Sequence, residues 1–307
     1  MHLRVGLPLA LAMCACAGNG AARRMIPYSD LTTQAVPAPD AVVAYGAEPL
    51  QHGELRLPGG RDRVPLVVLL HGGCWRAEYD LQHVRGAAHA LKEAGFATWT
   101  PEYRRLGDTG GGWPGTFDDV AHAVDFVRVL ARQHARIDTT RVVLMGHSAG
   151  GQLALWAATR RQAEITGLFV SSEAPLPTSG VVSLAGIADL AAYGSAAGSC
   201  NASVTPLLGG TVTEQPQRYR AVSPIERVPI LTAVRIVHGE LDPIVPLAQS
   251  RELLARNRAA GGTTELDVVP GAGHFDLIAP RSDAWPVVLH AVRALTDQTA
   301  QRVHTGQ

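Results

Sequence analysis

Gly146-His147-Ser148-Ala149-Gly150-Gly151 is the segment of this 307-residue chain whose residue types and spacing most directly suggest chemistry. It follows the apolar run Val142-Val143-Leu144-Met145 and leads into Gln152-Leu153-Ala154-Leu155-Trp156-Ala157-Ala158, a strand pattern before it and a helix pattern after it. A Gly-x-Ser-x-Gly in that setting is a nucleophile elbow: the glycines at 146 and 150 let neighbouring backbones pack against a sharp turn that lifts the serine hydroxyl clear. Ser148 then sits at a helix N-terminus, where backbone N–H groups face a developing negative charge. The chemistry implied is acyl transfer. A serine hydroxyl is a poor nucleophile at neutral pH, so it needs an imidazole to accept its proton and a carboxylate to orient that imidazole. Around an elbow these follow in the order acid, then histidine, each just past a later strand. Leu231 to Val237 ends in His238-Gly239-Glu240-Leu241-Asp242-Pro243, and Leu266 to Val269 ends in Pro270-Gly271-Ala272-Gly273-His274-Phe275. Asp242 and His274 are the partners this places, with Glu240 as the rival acid. Asp276 is too near His274 to reach back comfortably and reads as a solvated turn residue.

Twelve histidines offer decoys. His147 adjoins the nucleophile, but the tight turn aims it elsewhere, and packing beneath the elbow is its expected role. His238 ends a strand and is expected to pack as well. A tetrahedral intermediate also needs backbone N–H donors where its charge collects. Leu66 to Leu70 leads into His71-Gly72-Gly73-Cys74-Trp75, one unit before the elbow, and the N–H groups of Gly73, Cys74 and Ala149 are the expected donors.

The elements that must position these residues alternate along the chain. Short β-rich runs (Val64 to Leu70, Phe96 to Thr100, Arg141 to Met145, Gly180 to Leu184, Ala233 to Val237, Glu265 to Val269) are separated by helical patterns (Leu81 to Ala94, Phe117 to His134, Ala149 to Arg160, Pro246 to Ala260, Asp283 to Thr296). Such alternation predicts an α/β fold: a mostly parallel twisted sheet with helices on both faces. The stretch from Ile187 to Pro229 is rich in Ala, Gly, Ser and Pro and reads as a cap-like insertion over the carboxyl ends of the strands. There is no internal repeat.

Charge excludes one class of partner. The 27 basic and 27 acidic side chains balance, so the chain lacks the positive field that phosphate neutralisation needs, and nucleic acid is not expected. Lys92 is the sole lysine, which leaves Ser-x-x-Lys or Schiff-base chemistry almost nothing to work with. Neither Cys-x-x-Cys nor His-Glu-x-x-His occurs, which disfavours a structural or catalytic zinc site. At the start, Arg4 precedes the apolar run Val5 to Met13, and small residues follow from Ala15 to Gly18, the order of a secretory signal over residues 1–18. Cys16 could be the lipidated first residue of a lipoprotein, which would attach the protein to a membrane, although Met13 and Cys14 fit a lipobox poorly. Residues 19–49 read as a tether and residues 50–307 as the domain. If the protein is exported, Cys74 and Cys200 either pair as a disulfide joining the insertion to the His-Gly-Gly loop or remain two buried thiols.

With His71-Gly72-Gly73-Cys74-Trp75, Gly146-His147-Ser148-Ala149-Gly150, Asp242 and His274 placed, the chain resembles the α/β-hydrolase superfamily, in its esterase/lipase branch. The resemblance runs from about Leu50 to Leu295 and includes Tyr103-Arg104, Trp113-Pro114 and Asp118-Asp119-Val120, which look like hormone-sensitive-lipase-like carboxylesterases, feruloyl-esterase-type enzymes and arylformamidases. Cys74 departs from the pattern, since many relatives of the first kind carry a third glycine there. The resemblance implies an acyl-enzyme on Ser148, a small-molecule ester substrate, and no metal or organic cofactor. An amide hydrolase of the arylformamidase or peptidase type is the alternative, and a non-catalytic binding protein on the same fold is the third.

Overall fold

Leu66, Val68 and Leu70 on one side of the run Val64–Leu70, and Val67 and Leu69 on the other, are all fully buried, as a strand covered on both faces requires. In the computed structural model, which describes residues 24–160, 174–198 and 200–305, that run is the third of eight strands in one sheet. The strands are β1 (Ala41–Ala44), β2 (His52–Arg56), β3 (Val64–Leu70), β4 (Ala97–Pro101), β5 (Ile137–His147), β6 (Gly180–Leu184), β7 (Ala233–Gly239) and β8 (Thr264–Val269). Their order is β1-β2-β4-β3-β5-β6-β7-β8. β2 runs antiparallel to both its neighbours, and every pairing from β4 to β8 is parallel.

The alternation of side chains divides the core in two. Val142 and Leu144 of β5 join Leu66, Val68 and Leu70 on one face of the sheet, while Val143 and Met145 join Val67 and Leu69 on the other. Before the elbow's own helix come α1 (Tyr28–Thr32), α2 (Arg85–Glu93), α3 (Gly115–Asp125) and α4 (Val127–Gln133); the elbow leads into α5 (Ala149–Ala157). The first face is covered by α3, α4 and α5 through Phe117, Val124, Leu130, Leu153 and Trp156. The second is covered by α2, whose Ala87, Ala88 and Leu91 form one buried stripe, and by the C-terminal helix. Burying each such Leu or Val contributes about 1.5–3 kcal/mol of transfer free energy.

Between β6 and β7 the expected insertion is a run of short helices, α6 (Leu190–Ser195), α7 (Val204–Leu208) and α8 (Pro216–Val222), with single helical turns at Asn201–Ser203 and Pro224–Arg227. Then follow α9 (Leu247–Ala259) and α10 (Trp285–Thr305). The helix expected over Phe117 to His134 is divided at Phe126 into α3 and α4.

The N-terminal part corrects the sequence reading. Residues 24–49, expected within the tether, belong to the folded domain: Leu31 of α1 is buried, and β1 pairs with β2 along its length. Neither β1 nor β2 shows in the hydrophobic pattern, for physical reasons. β1 is an edge strand whose residues alternate between half-buried and exposed, and β2 buries charge, Arg56 lying 3.4 Å from Glu54, which also takes Arg85 at 2.6 Å. The signal segment, residues 1–18 with Cys16, lies outside the described residues, as do residues 19–23 of the tether.

Candidate active site

Ser148 joins β5 to α5 with φ 57° and ψ −121°, a left-handed backbone that a side-chain-bearing residue adopts only under constraint from its surroundings. The glycines on either side supply that constraint. A Cβ at Gly146 would overlap the Gly150 carbonyl oxygen, and one at Gly150 would overlap the carbonyl oxygens of Leu70 and His71. The Ser148 N–H donates to the Leu184 carbonyl (2.9 Å), tying the turn to the end of β6.

His274 lies on the loop after β8, and Asp242 on the loop after β7. His274 Nδ1 donates to Asp242 Oδ2 at 2.6 Å, and both side chains are almost completely buried. Asp242 is fixed in turn, because its Oδ1 accepts from the Ile244 and Val245 amides (2.8 and 2.9 Å). Burial alone would raise the Asp242 carboxyl, but the His274 ring and those two amides hold it below the usual carboxylate range. It is therefore ionised, and with Nδ1 committed to it, Nε2 is the imidazole nitrogen left to receive a proton. Glu240, the rival acid, is exposed and accepts instead from the Gly271 N–H (3.0 Å). Asp276 is not the solvated turn residue expected. It is buried, and its Oδ2 accepts from Gly273 N–H (3.0 Å) and Ile26 N–H (3.3 Å), a role invisible while the N-terminal segment reads as a tether.

Both decoy histidines are packing residues that also hold the loops. His147 Nε2 donates to the His274 carbonyl (3.0 Å), and its ring lies 4.4 Å from that of His274. Burial, then the neighbouring His274 and His83, push its pKa well down, so the ring is neutral. His238 donates from Nε2 to the Val245 carbonyl (2.9 Å) and accepts at Nδ1 from Ser250 (2.7 Å), supporting the Asp242 turn from beneath.

The His-Gly-Gly loop packs directly on the elbow. A Cβ at Gly72 would lie 2.8 Å from the His147 carbonyl oxygen and 3.1 Å from Ser148 Cβ, so only glycine fits. Gly73, Cys74 and Trp75 all take positive φ (104°, 55° and 57°), and Trp75 Nε1 donates to Gln152 of α5 (3.1 Å). Gly73 and Cys74 share a cavity of about 520 Å³ with Ser148 and His274, and Ala149 is the first residue of α5. Cys74 and Cys200 form a disulfide, with a Cα–Cα distance of 5.0 Å across 126 residues. It joins this loop to the insertion.

Glu102, just past β4, escapes the sequence reading. Its Oε1 takes His71 Nε2 at 2.7 Å and Arg105 at 3.0 Å, and its Oε2 accepts from the Leu81 N–H (3.1 Å). His71 also donates from Nδ1 to the Gly72 carbonyl (2.8 Å) and stacks on Tyr103 at 4.3 Å. Burial would raise the Glu102 carboxyl, yet His71 and Arg105 hold it at about 2. An acid at the carboxyl end of a parallel strand was the available signal. Asp119, within the Asp118-Asp119 pair, receives Arg104 through Nε and Nη2 (2.8 and 2.7 Å), fixing the loop after β4. Among the described residues no group of three His, Cys, Asp or Glu side chains could hold a metal ion.

A model of the BD-FAE family matches residues 55–256. Esterase LipQ of Mycobacterium tuberculosis is 26% identical over 272 residues, which is 80% of this chain and 61% of LipQ. Esterase LipC of the same organism is 26% identical over 290 residues, 85% of this chain and 67% of LipC. The chain thus spans about three fifths to two thirds of the length of these relatives. Among solved structures, Esterase B from Lactobacillus rhamnosus superposes with a TM-score of 0.75 at 22% identity, covering 90% of this chain and 93% of that one. A truncated carbohydrate esterase from gut microbiota gives 0.69 at 22% identity, covering 85% and 94%. These two structures share the fold. The chain belongs to the BD-FAE family, and its fold is of the α/β-hydrolase type.

Proposed function

We propose that the protein is a serine carboxylic-ester hydrolase that works through an acyl-enzyme on Ser148. The observation that carries the reading is the 2.6 Å bond from His274 to a buried, doubly amide-bound Asp242, with His274 lining the cavity that also holds Ser148 and the Gly73-Cys74 loop. Ser148 Oγ attacks the ester carbonyl while His274 Nε2 takes its proton, and Asp242 stabilises the resulting imidazolium. The N–H groups of Gly73, Cys74 and Ala149 receive the oxyanion. Collapse of the intermediate breaks the bond to the alcohol, which leaves with the His274 proton. Water then repeats the sequence on the acyl-enzyme and releases the acid. The names of LipQ and LipC support an ester over an amide substrate.

The purified protein is expected to turn over p-nitrophenyl esters, and Ser148→Ala and His274→Ala each to lower kcat about 10⁴-fold or more, since the residues act as one unit. Faster turnover of N-formylkynurenine than of any ester would favour the amide alternative instead. A wild type inert toward every ester would overturn the reading.

Export by residues 1–18 completes the proposal, and the Cys74–Cys200 disulfide supports it because such bonds persist in oxidising compartments. Replacing Leu9 and Leu11 with Asp should hold the protein in the cytoplasm. Fractionation that finds the variant still exported would rule the segment out as a signal. Labelled palmitate that is incorporated, and lost in Cys16→Ser, would mark a lipoprotein rather than a freely secreted enzyme.

A further inference from the structure

The cavity over Ser148 has two unlike walls. One is the insertion together with the Asp242 loop, through residues such as Tyr193, Cys200 and Ile244. The other is aromatic and contains Tyr28, Tyr79, His83 and Phe275, of which Tyr28 comes from the N-terminal segment ahead of the sheet.

That segment is held at several points. The Ile26 N–H donates to the Asp276 oxygen that also binds Gly273 N–H, so one carboxylate fastens both the segment and the loop carrying His274. Met25 lies against Gly273 so closely that a Cβ there would stand 3.0 Å from Met25 Cγ. Asp30 pairs with Arg281 (2.6 Å), Gln82 donates to the Thr32 carbonyl (3.1 Å), and Leu31 is buried in the core beneath α2. Tyr28 meets Tyr79, His83 and Phe275 with ring centroids 5.5, 5.5 and 5.6 Å away. Rings wedged this way have defined positions, because aromatic side chains lose few rotamers on packing and gain from tilted contacts.

The arrangement has a direction. In ester cleavage the leaving alcohol collects its proton from His274, so the alkoxy group must lie beside that ring. Phe275 packs edge-on to His274 at 5.2 Å, and Tyr28 is the next ring beyond Phe275. The disulfide ties the insertion to Cys74 of the loop expected to bind the oxyanion, and Tyr79 packs on Gly73 of the same loop. We propose that Tyr28 is a specificity-determining residue that closes the alcohol end of the substrate cavity, setting the length of the alkoxy group accepted and leaving acyl length to the insertion wall. This rests on the ester-hydrolase reading and deepens it. The phenol, pushed up to about 12 by burial and then by Asp80, stays neutral wherever an imidazole base could act, so its effect is one of shape.

The test compares wild type, Tyr28→Ala and Tyr28→Phe on methyl, butyl and hexyl acetates, and on methyl acetate, butanoate and hexanoate. Removing the ring opens room along the alkoxy chain, so the hexyl-to-methyl acetate ratio of kcat/KM should rise about 10-fold in Tyr28→Ala. The acyl-series ratios should move less than about 2-fold, and Tyr28→Phe, which keeps the ring, should retain the wild-type alcohol ratio within about 2-fold. Thermal melting checks that each variant is folded. An active wild type with the same alcohol preference in Tyr28→Ala, or a shift carried by the acyl series, overturns this proposal alone. A wild type inert toward every ester overturns the functional reading and this proposal with it.

Discussion

Ser148, Asp242 and His274 are each held largely by neighbours within their own turn or at the adjoining strand ends, whereas the walls of the cavity around them are held by segments far apart in the chain. The elbow glycines and the Leu184 carbonyl fix Ser148, and the amides two and three residues further on fix Asp242. The walls depend on Tyr28 reaching Phe275, on Cys74 reaching Cys200, and on Arg76 Nε donating to Ser203 (2.8 Å). On the proposed reading, the difference teaches that reactivity rests on local backbone geometry, and selectivity and stability on tertiary ties. Changes at the first should cost rate, and changes at the second should cost stability or preference.

The largest expected effect tests the reactive half. Asp242→Asn should lower kcat about 10³- to 10⁴-fold by disturbing the tautomer and losing the charge beside the imidazole, while Glu240→Gln should stay within about 2-fold. The reverse pattern, with Glu240→Gln inactive, would mean that Asp242 is not the orienting acid. On the wall side, Cys200→Ser opens a loop of 126 residues. Chain entropy for loops of that size predicts about 5 kcal/mol of lost stability, read from urea unfolding. Turnover of a small acetate by the folded variant should fall less than about 10-fold, because Gly72 and Trp75 still seat the loop on the elbow. A loss as deep as that of Asp242→Asn would place the disulfide in the reactive half and break the comparison.

Glu102 sits at the boundary, and its effect depends on pH. Its folded-state carboxyl lies at about 2 against an ordinary 4.5, so it contributes stability that is fully present above pH 4.5 and lost as pH falls from there toward 2. The shift corresponds to about 3 kcal/mol, and Glu102→Gln should remove that part of the acid dependence when unfolding free energies at pH 5 and pH 3 are compared. His83, lowered to about 3 by burial first, and His147 are buried neutral, and they add a loss that begins nearer pH 6.5 in wild type and variant alike. An undiminished acid dependence in Glu102→Gln would show that the His71–Glu102 pair does not stabilise the fold.

The same division decides what was legible in the sequence. The elbow, the His274 loop, the Asp242 loop and the six strands β3 to β8 are short-range patterns, in which glycine at a fixed offset or a burst of β-branched residues reports the backbone directly. Asp242 and Glu240 sit on one loop, so the preference for Asp242 over its rival could be checked only against hydrogen bonding, which in the fold separates them. The Cys74–Cys200 pairing stayed open for the same reason. Tyr28 and the tie from Ile26 to Asp276 carried no local signal, because each joins partners distant in the chain, and Glu102 offered only its place at the carboxyl end of a parallel strand. β1 and β2 were missed because one is a half-exposed edge and the other buries Glu54 and Arg56, so neither shows hydrophobic alternation.

The central claim is that Ser148 carries the acyl group, and the most direct test is intact-mass analysis of the protein after a fluorophosphonate. The account predicts one adduct per chain, mapped to Ser148 by peptide sequencing, and none in Ser148→Ala. Equal labelling of the Ser148→Ala variant, or an adduct mapped to another residue, would contradict it.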